Sequence, residues 1–194
     1  MKKLVALDKE NSGLNVIERT RFIDDRGAFE RIFCKEELSP FFSEDVSQIN
    51  LSSNSTVGTI RGLHYQTESF AEKKYVVCLA GKMMDVVVDL REGSPTFLKP
   101  FYQELSAETP SGLLIPKGFA HGFQTLLENT TILYIMSEQH NAQHEKGINP
   151  LDPILDIDWP LNISNCSARD KSFAFISQDF KGVYVSKSHD LNNI

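Results

Sequence analysis

Short apolar and β-branched runs, cut every few residues by glycine, proline, asparagine or aspartate, fill most of this 194-residue chain and leave little room for anything but sheet. Tyr75 to Ala80 is apolar and stops at Gly81-Lys82. Met83 to Leu90 (MMDVVVDL) is β-branched and stops at Glu92-Gly93-Ser94-Pro95. Phe101 to Leu105, Gly112 to Ile115, Gly122 to Leu127 and Thr130 to Met136 continue the series. Upstream, Leu14 to Phe22 and Phe29 to Phe33 flank the turn Asp24-Asp25-Arg26-Gly27, and Val46 to Leu51 alternates polar and apolar. Helical signals are confined to Lys35-Glu36-Glu37-Leu38 before Pro40 and to a short stretch within Asn165 to Phe175. From Ser186 on the residues are polar and are expected to be loose. The pattern predicts an all-β sandwich or barrel with a few short helices.

No repeat, low-complexity segment or linker divides the chain, and its length suits one domain over residues 1–194. A formal net charge of -6 argues against a nucleic-acid partner. Local arginines and lysines still allow an anionic ligand. The N-terminal apolar run is broken by Asp8 and Lys9, which does not suit a secretory leader, and no run approaches the roughly 18 apolar residues of a membrane span. Cys34, Cys78 and Cys166 are widely spaced and odd in number, with no CxxC, so reduced thiols in a cytoplasmic protein are expected.

Three constellations carry chemical potential. Arg61-Gly62-Leu63-His64-Tyr65-Gln66 places Arg, His and Gln in a segment that should otherwise be apolar. Ile115-Pro116-Lys117-Gly118-Phe119-Ala120-His121-Gly122-Phe123 is a tight turn followed by a strand that carries His121 inward. Gln48 and Asn50 stand at i and i+2 and share one face of a strand. Each has a plainer reading: a satisfied core histidine for His64 or His121, a solvent face of an edge strand for the amides. The five histidines form no His-x-His, which argues against a metal site. No Gly-x-Ser-x-Gly elbow and no Gly-x-Gly-x-x-Gly loop occurs, so neither a serine nucleophile nor a tightly held nucleotide cofactor is indicated.

Taken in order, several segments resemble the dTDP-4-dehydrorhamnose 3,5-epimerase family. They are Asp25-Arg26-Gly27-x-Phe29, Gln48-x-Asn50-x-Ser52, Arg61 to Gln66, Val86-Val87-Val88-Asp89-Leu90-Arg91, Pro116-x-Gly118-Phe119-Ala120-His121-Gly122-Phe123, and Asp152-Pro153 followed by Trp159-Pro160. The likeness spans about Val16 to Asp170. It implies a double-stranded β-helix, the cupin-like jelly-roll barrel, working as a homodimer without metal or organic cofactor. The implied substrate is a nucleotide-linked 4-keto-6-deoxy sugar. His64 is then the general base and Asp170 its orienting carboxylate. Arg26, Gln48, Asn50, Arg61, Lys74, His121, Glu145 and Arg169 are implied ligand contacts. The residue types suit the chemistry: a base of moderate pKa removes a proton beside a ketone, and Lys74 and His121 steady the enolate oxygen. The arginines match a diphosphate.

Inversion also needs a proton returned on the opposite face. The resemblance sets His140 where the family carries the tyrosine that supplies it, with Tyr134 six residues earlier. Three routes stay open: His140 as the acid, water as the acid with one carbon inverted, or loss of epimerase chemistry. Arg31 stands where many members carry glutamate, which bears on sugar or nucleotide choice. A non-catalytic sugar-nucleotide-binding cupin and a sugar-nucleotide ketoisomerase are the alternative functions.

Overall fold

The computed structural model describes residues 4–9 and 12–185. The tail from Ser186 lies outside the described residues. Fourteen strands, two short α-helices and one 3-10 turn (Glu68–Phe70) are assigned among them. The strands are β1 (Leu4–Lys9), β2 (Leu14–Arg19), β3 (Arg21–Asp24), β4 (Gly27–Glu30), β5 (Gln48–Asn54), β6 (Thr59–Gln66) and β7 (Lys74–Ala80). There follow β8 (Lys82–Asp89), β9 (Pro100–Ser106), β10 (Ser111–Ile115), β11 (Phe119–Thr125), β12 (Thr130–Met136), β13 (Glu145–Gly147) and β14 (Asn165–Cys166). The helices are α1 (Lys35–Leu38) and α2 (Ala168–Ser172).

Two sheets face each other. One runs β1-β2-β10-β7-β12-β5, the other β13-β6-β11-β8-β9, with β14 parallel to β6 at its edge. The β3–β4 hairpin stands as a separate two-stranded ribbon. Because a strand's side chains alternate, each sheet serves two cores. Val76, Ile132, Leu113, Val87 and Phe123 fill the interior between the sheets. Tyr75, Val77, Leu114 and Ile135 point the other way and pack beneath Leu38 and Phe42. Leu63, Val88 and Ala120 do the same on the far sheet under Ile148 and Leu155. Covering both faces explains why several strands read as unbroken apolar runs.

The differences from the sequence reading are local. The expected strand Leu14 to Phe22 is two strands that break at Thr20, and the strand expected at Phe29 to Phe33 ends at Glu30. The short strands β1, β13 and β14 carry no periodic signal. Gly62 interrupts nothing: β6 is one strand from Thr59 to Gln66. Gly62 is held at φ +115°, and a Cβ there would lie 2.6 Å from Gly122 Cα. A Cβ on Gly122 would lie 2.7 Å from Arg61 O, so β6 and β11 meet along a seam too close for any side chain. The register of the pair shifts between His121 and Phe123. No helix among the described residues is long and apolar enough to cross a membrane.

Candidate active site

Between the sheets, at the end where β5, β6 and β12 begin or finish, opens a cavity of about 490 Å³. One wall carries Gln48, Asn50 and Ser52 from β5, Lys74 from β7, and Tyr134 and Met136 from β12. Register explains the set: Gln48 pairs with Met136 and Asn50 with Tyr134, while Lys74 pairs with Met136 from the other side. The opposite wall carries Arg61 and His64 from β6 and His121 from β11. His140 and Glu145 stand at the rim.

His64 and His121 are register partners on neighbouring strands. His64 Nε2 lies 2.8 Å from Asp170 Oδ1. The other carboxylate oxygen, Oδ2, accepts the Gly62 N–H at 3.2 Å. Asp170 itself is placed by α2, whose cap residue Ser167 accepts the Asp170 N–H at 2.9 Å. Burial works to raise the Asp170 carboxyl, but the His64 contact, the Gly62 N–H and Ser167 outweigh it and hold the group below the ordinary carboxylate value. A charged Asp170 accepts a hydrogen from His64 Nε2, which leaves Nδ1 as the nitrogen with a free lone pair. The ring edge of Phe173 packs against His64 with centroids 5.8 Å apart.

The second pair is deeper. His121 Nε2 lies 2.5 Å from Asp85 Oδ1. Asp85 points inward from β8 and is fully buried, and its Oδ2 has no hydrogen-bond partner among the described residues. His121 meets the edge of Tyr134 with ring centroids 6.1 Å apart. Burial, with the Asp85 charge adding to it, pushes the Tyr134 phenol far above its ordinary range, against smaller opposing effects of Arg61 and Ser52. Tyr134 is therefore protonated at any physiological pH.

Lys74 Nζ is paired with Glu72 Oε1 at 2.9 Å and donates to His64 O at 3.3 Å. Arg61 Nε donates to Asn54 Oδ1 at 2.7 Å. At the rim, Glu145 Oε2 receives His140 Nε2 at 3.1 Å and Arg169 Nη2 at 2.7 Å. Burial would raise the Glu145 carboxyl, but Arg169 and His140 together lower it. A second groove of about 260 Å³ adjoins the first, lined by Arg61, His64, Arg169 and Asp170. Among the described residues no three His, Cys, Asp or Glu side chains converge to hold a metal ion.

The fold thus brings Gln48, Asn50, Arg61, His64, Lys74, His121, His140 and Glu145 to one cavity, and sets Arg169 and Asp170 on the groove beside it. Arg26 does not line either space. It stands at the tip of the β3–β4 hairpin, its side chain 85% exposed and paired with Asp24. Sequence reasoning named Tyr134 without giving it the acid's role, quoted Ser52 in a motif without a role, and missed Glu72 and Asp85. An aspartate inside MMDVVVDL was the one readable signal among these. Tyr134 lies in the strand proper, facing inward, whereas His140 follows the end of β12 in the rim segment.

A family model described as dTDP-4-dehydrorhamnose 3,5-epimerase matches residues 9–178. The dTDP-4-dehydrorhamnose 3,5-epimerase of Sinorhizobium fredii is 40% identical over 152 residues, 76% of this chain and 76% of that one. The crystal structure of dTDP-6-deoxy-D-glucose-3,5-epimerase from Legionella pneumophila, in complex with dTDP-4-keto-L-rhamnose, superimposes with a TM-score of 0.86 and 33% identity over 94% of this chain and 100% of that one. A double mutant of ChmJ, a 3'-monoepimerase from Streptomyces bikiniensis in complex with dTDP, in which one histidine and one tyrosine are replaced, gives a TM-score of 0.81 and 31% identity over 87% and 85%. By family model, identity and fold alike, this chain belongs to the dTDP-4-dehydrorhamnose 3,5-epimerase family, isomerases built on the cupin-like barrel.

Proposed function

We propose that the cavity epimerises a dTDP-linked 4-keto-6-deoxyhexose at carbons next to the ketone, with His64 as base and Tyr134 as acid. The observation that carries the reading is their placement. His64 projects from one sheet and Tyr134 from the other, into the same space. Inversion at carbon needs a proton taken from one face and returned to the opposite face, so two proton-transfer groups on opposing walls suit it. The histidine and tyrosine replaced in the ChmJ double mutant are separated by the same number of residues as His64 and Tyr134.

Each group has a defined step. His64 Nδ1 takes the proton from the carbon beside the carbonyl. The C–H electron pair forms the C=C bond, and the carbonyl oxygen takes up the negative charge. Lys74 from one wall and His121 from the other face that oxygen in a partly dry space, where donors count most. Tyr134 then protonates the carbon from the other side, and the carbonyl reforms. Arg61 and Arg169, which share the adjoining groove, take the diphosphate through their planar guanidinium forks. Gln48 and Asn50 bind sugar hydroxyls. This reading gives His140 a rim role through Glu145 rather than the acid's.

The quaternary state belongs to the same reading. Ile49 and Leu51 on the edge strand β5 are 60% and 61% exposed, and Ile23 on the hairpin is 77% exposed. Exposed apolar side chains on an edge strand and on the hairpin suit a second copy of the chain. A homodimer that seats the hairpin near the partner's cavity also brings Arg26 within reach of substrate.

Incubation with dTDP-, CDP- and GDP-4-keto-6-deoxyglucose in deuterated water, followed by NMR, tests the assignment. The expected result is deuterium at C3, C5 or both of the dTDP sugar, with inversion at the labelled carbon. Tyr134→Phe is expected to keep exchange with retained configuration, since His64 returns the deuteron to the face it came from. Absence of exchange with all three sugars overturns the reading.

A further inference from the structure

Glu72 lies in the connection that leads into β7, within Ala71-Glu72-Lys73-Lys74. By sequence it belongs to a solvated charge run. In the fold its side chain is 3% exposed and lines the cavity. Both carboxylate oxygens are engaged: Oε1 with Lys74 Nζ at 2.9 Å, and Oε2 with Gln66 Nε2 at 2.8 Å. Gln66 sits two residues beyond His64 on β6. Its Nε2 also donates to Phe70 O at 3.0 Å and Gln139 O at 3.2 Å, and its Oε1 accepts the Asn141 N–H at 2.6 Å. One buried carboxylate therefore ties together the cavity lysine, the strand that carries His64 and the segment that carries His140.

A buried carboxylate is costly unless its partners are good, and here each of its two oxygens meets a donor. Lysine is a point charge on a flexible four-carbon stem. An electrostatic contact aids a reaction only when it is aimed before charge develops. On the epimerase reading proposed above, on which this inference rests, Lys74 faces the oxygen that becomes an oxyanion. We infer that Glu72 is a positioning residue: it fixes the Lys74 ammonium against the cavity wall and, through Gln66, anchors the rim segment 137–145 to the catalytic strand. It touches no reacting atom itself. A free Lys74 stem samples many rotamers, and its ordering then has to be supplied during the reaction.

The test uses the full chain, with dTDP-4-keto-6-deoxyglucose as substrate. Glu72→Gln is expected to lower kcat by about 10–100-fold, in line with the loss of a supporting contact behind a reactive group, while KM stays near the wild-type value. Glu72→Asp, which keeps the charge one methylene further back, is expected to recover part of that loss and supplies a folded comparison if the glutamine variant unfolds. Glu72 acts through Lys74, so the Glu72→Gln/Lys74→Met double variant is expected to be no slower than Lys74→Met alone. A Glu72→Gln or folded Glu72→Asp enzyme with wild-type kcat overturns the inference. So does a double variant whose losses multiply, or a loss that falls on KM alone. A wild-type chain that exchanges no deuteron rejects the epimerase reading and this inference with it; a competent wild type beside an unimpaired Glu72→Gln rejects only the role of Glu72.

Discussion

His64 with Asp170 and His121 with Asp85 are the same chemical pair built twice on neighbouring strands, and they differ in what surrounds them. The His64 side chain is 33% exposed, that of His121 6%. Both oxygens of Asp170 are engaged, one by His64 and one by a backbone N–H, from a helix turn at the edge of the sheet. Asp85 stands inside the barrel with one oxygen satisfied and one left over. A proton acceptor has to release its proton to water after each cycle, and only the His64 pair has that access. A fixed donor aimed at developing charge gains from dryness, and the His121 pair has that. On the proposed reading, the same two residue types are thus turned into a proton carrier and an electrostatic support by placement alone.

That contrast is open to breakage. On the proposed reading His64 is the base, and His64→Ala is expected to lower kcat by about 1000-fold or more, measured as deuterium exchange into the sugar. Asp170→Asn leaves the imidazole but loosens its tautomer and orientation, for an expected loss of about 10–100-fold in kcat with a small loss of thermal stability at neutral pH. Asp85→Asn is expected to show the reverse balance. It buries an amide whose N–H groups have one fewer acceptor than they need, so calorimetry should show a loss of about 1–3 kcal/mol of stability. An Asp85→Asn protein as stable as wild type, with activity reduced as far as in Asp170→Asn, would erase the distinction between the two pairs.

The smallest expected effect is in acid. The folded Asp170 carboxyl lies below its ordinary value of 3.8, so its contribution to stability is present above that value and is lost as pH falls through the folded one. Thermal unfolding from pH 7 to pH 3 should therefore show the wild type losing its margin over Asp170→Asn below about pH 4. A margin that widens in acid would contradict the depressed value.

The sheet was legible in the sequence because its turns are chemically loud and its strands short. Tyr75 to Ala80, Met83 to Leu90 and Thr130 to Met136 all appear where the runs place them, to within a residue at either end. Which side chains face the cavity was harder to read. Thr130 to Met136 is apolar on both faces because Ile132 and Tyr134 meet the interior while Leu133 and Ile135 meet a second core, and so the inward parity of Tyr134 leaves no polar alternation to detect. Glu72 was invisible for a different reason. Beside Lys73 and Lys74 it looks like a solvated charge, and only the approach of Gln66 from another strand removes it from water. Asp170 was named through family resemblance alone; locally Ser167-x-x-Asp170 says no more than that a helix starts there. His140 was set in the tyrosine's place by the resemblance of its segment alone, and in the fold it follows the end of β12 at Met136.

The Gly62–Gly122 seam has a consequence for how such an enzyme diversifies. Neither glycine accepts a methyl group without moving its neighbour's backbone, and each is flanked by a histidine or arginine of the cavity. A side chain at either glycine would therefore disturb the spacing of His64 and His121. The segment from Ser137 to Glu145 is held instead by hydrogen bonds and ion pairs, with Ser47 and Lys73 at Ser137, Gln48 at Glu138, Gln66 at Gln139 and Asn141, and Arg169 at Glu145, and not by a backbone approach too close for a side chain. Lineages that acquire new sugars would then rewrite the rim and copy the seam, with conserved chemistry and negotiable substrate choice encoded in different stretches of the same short chain.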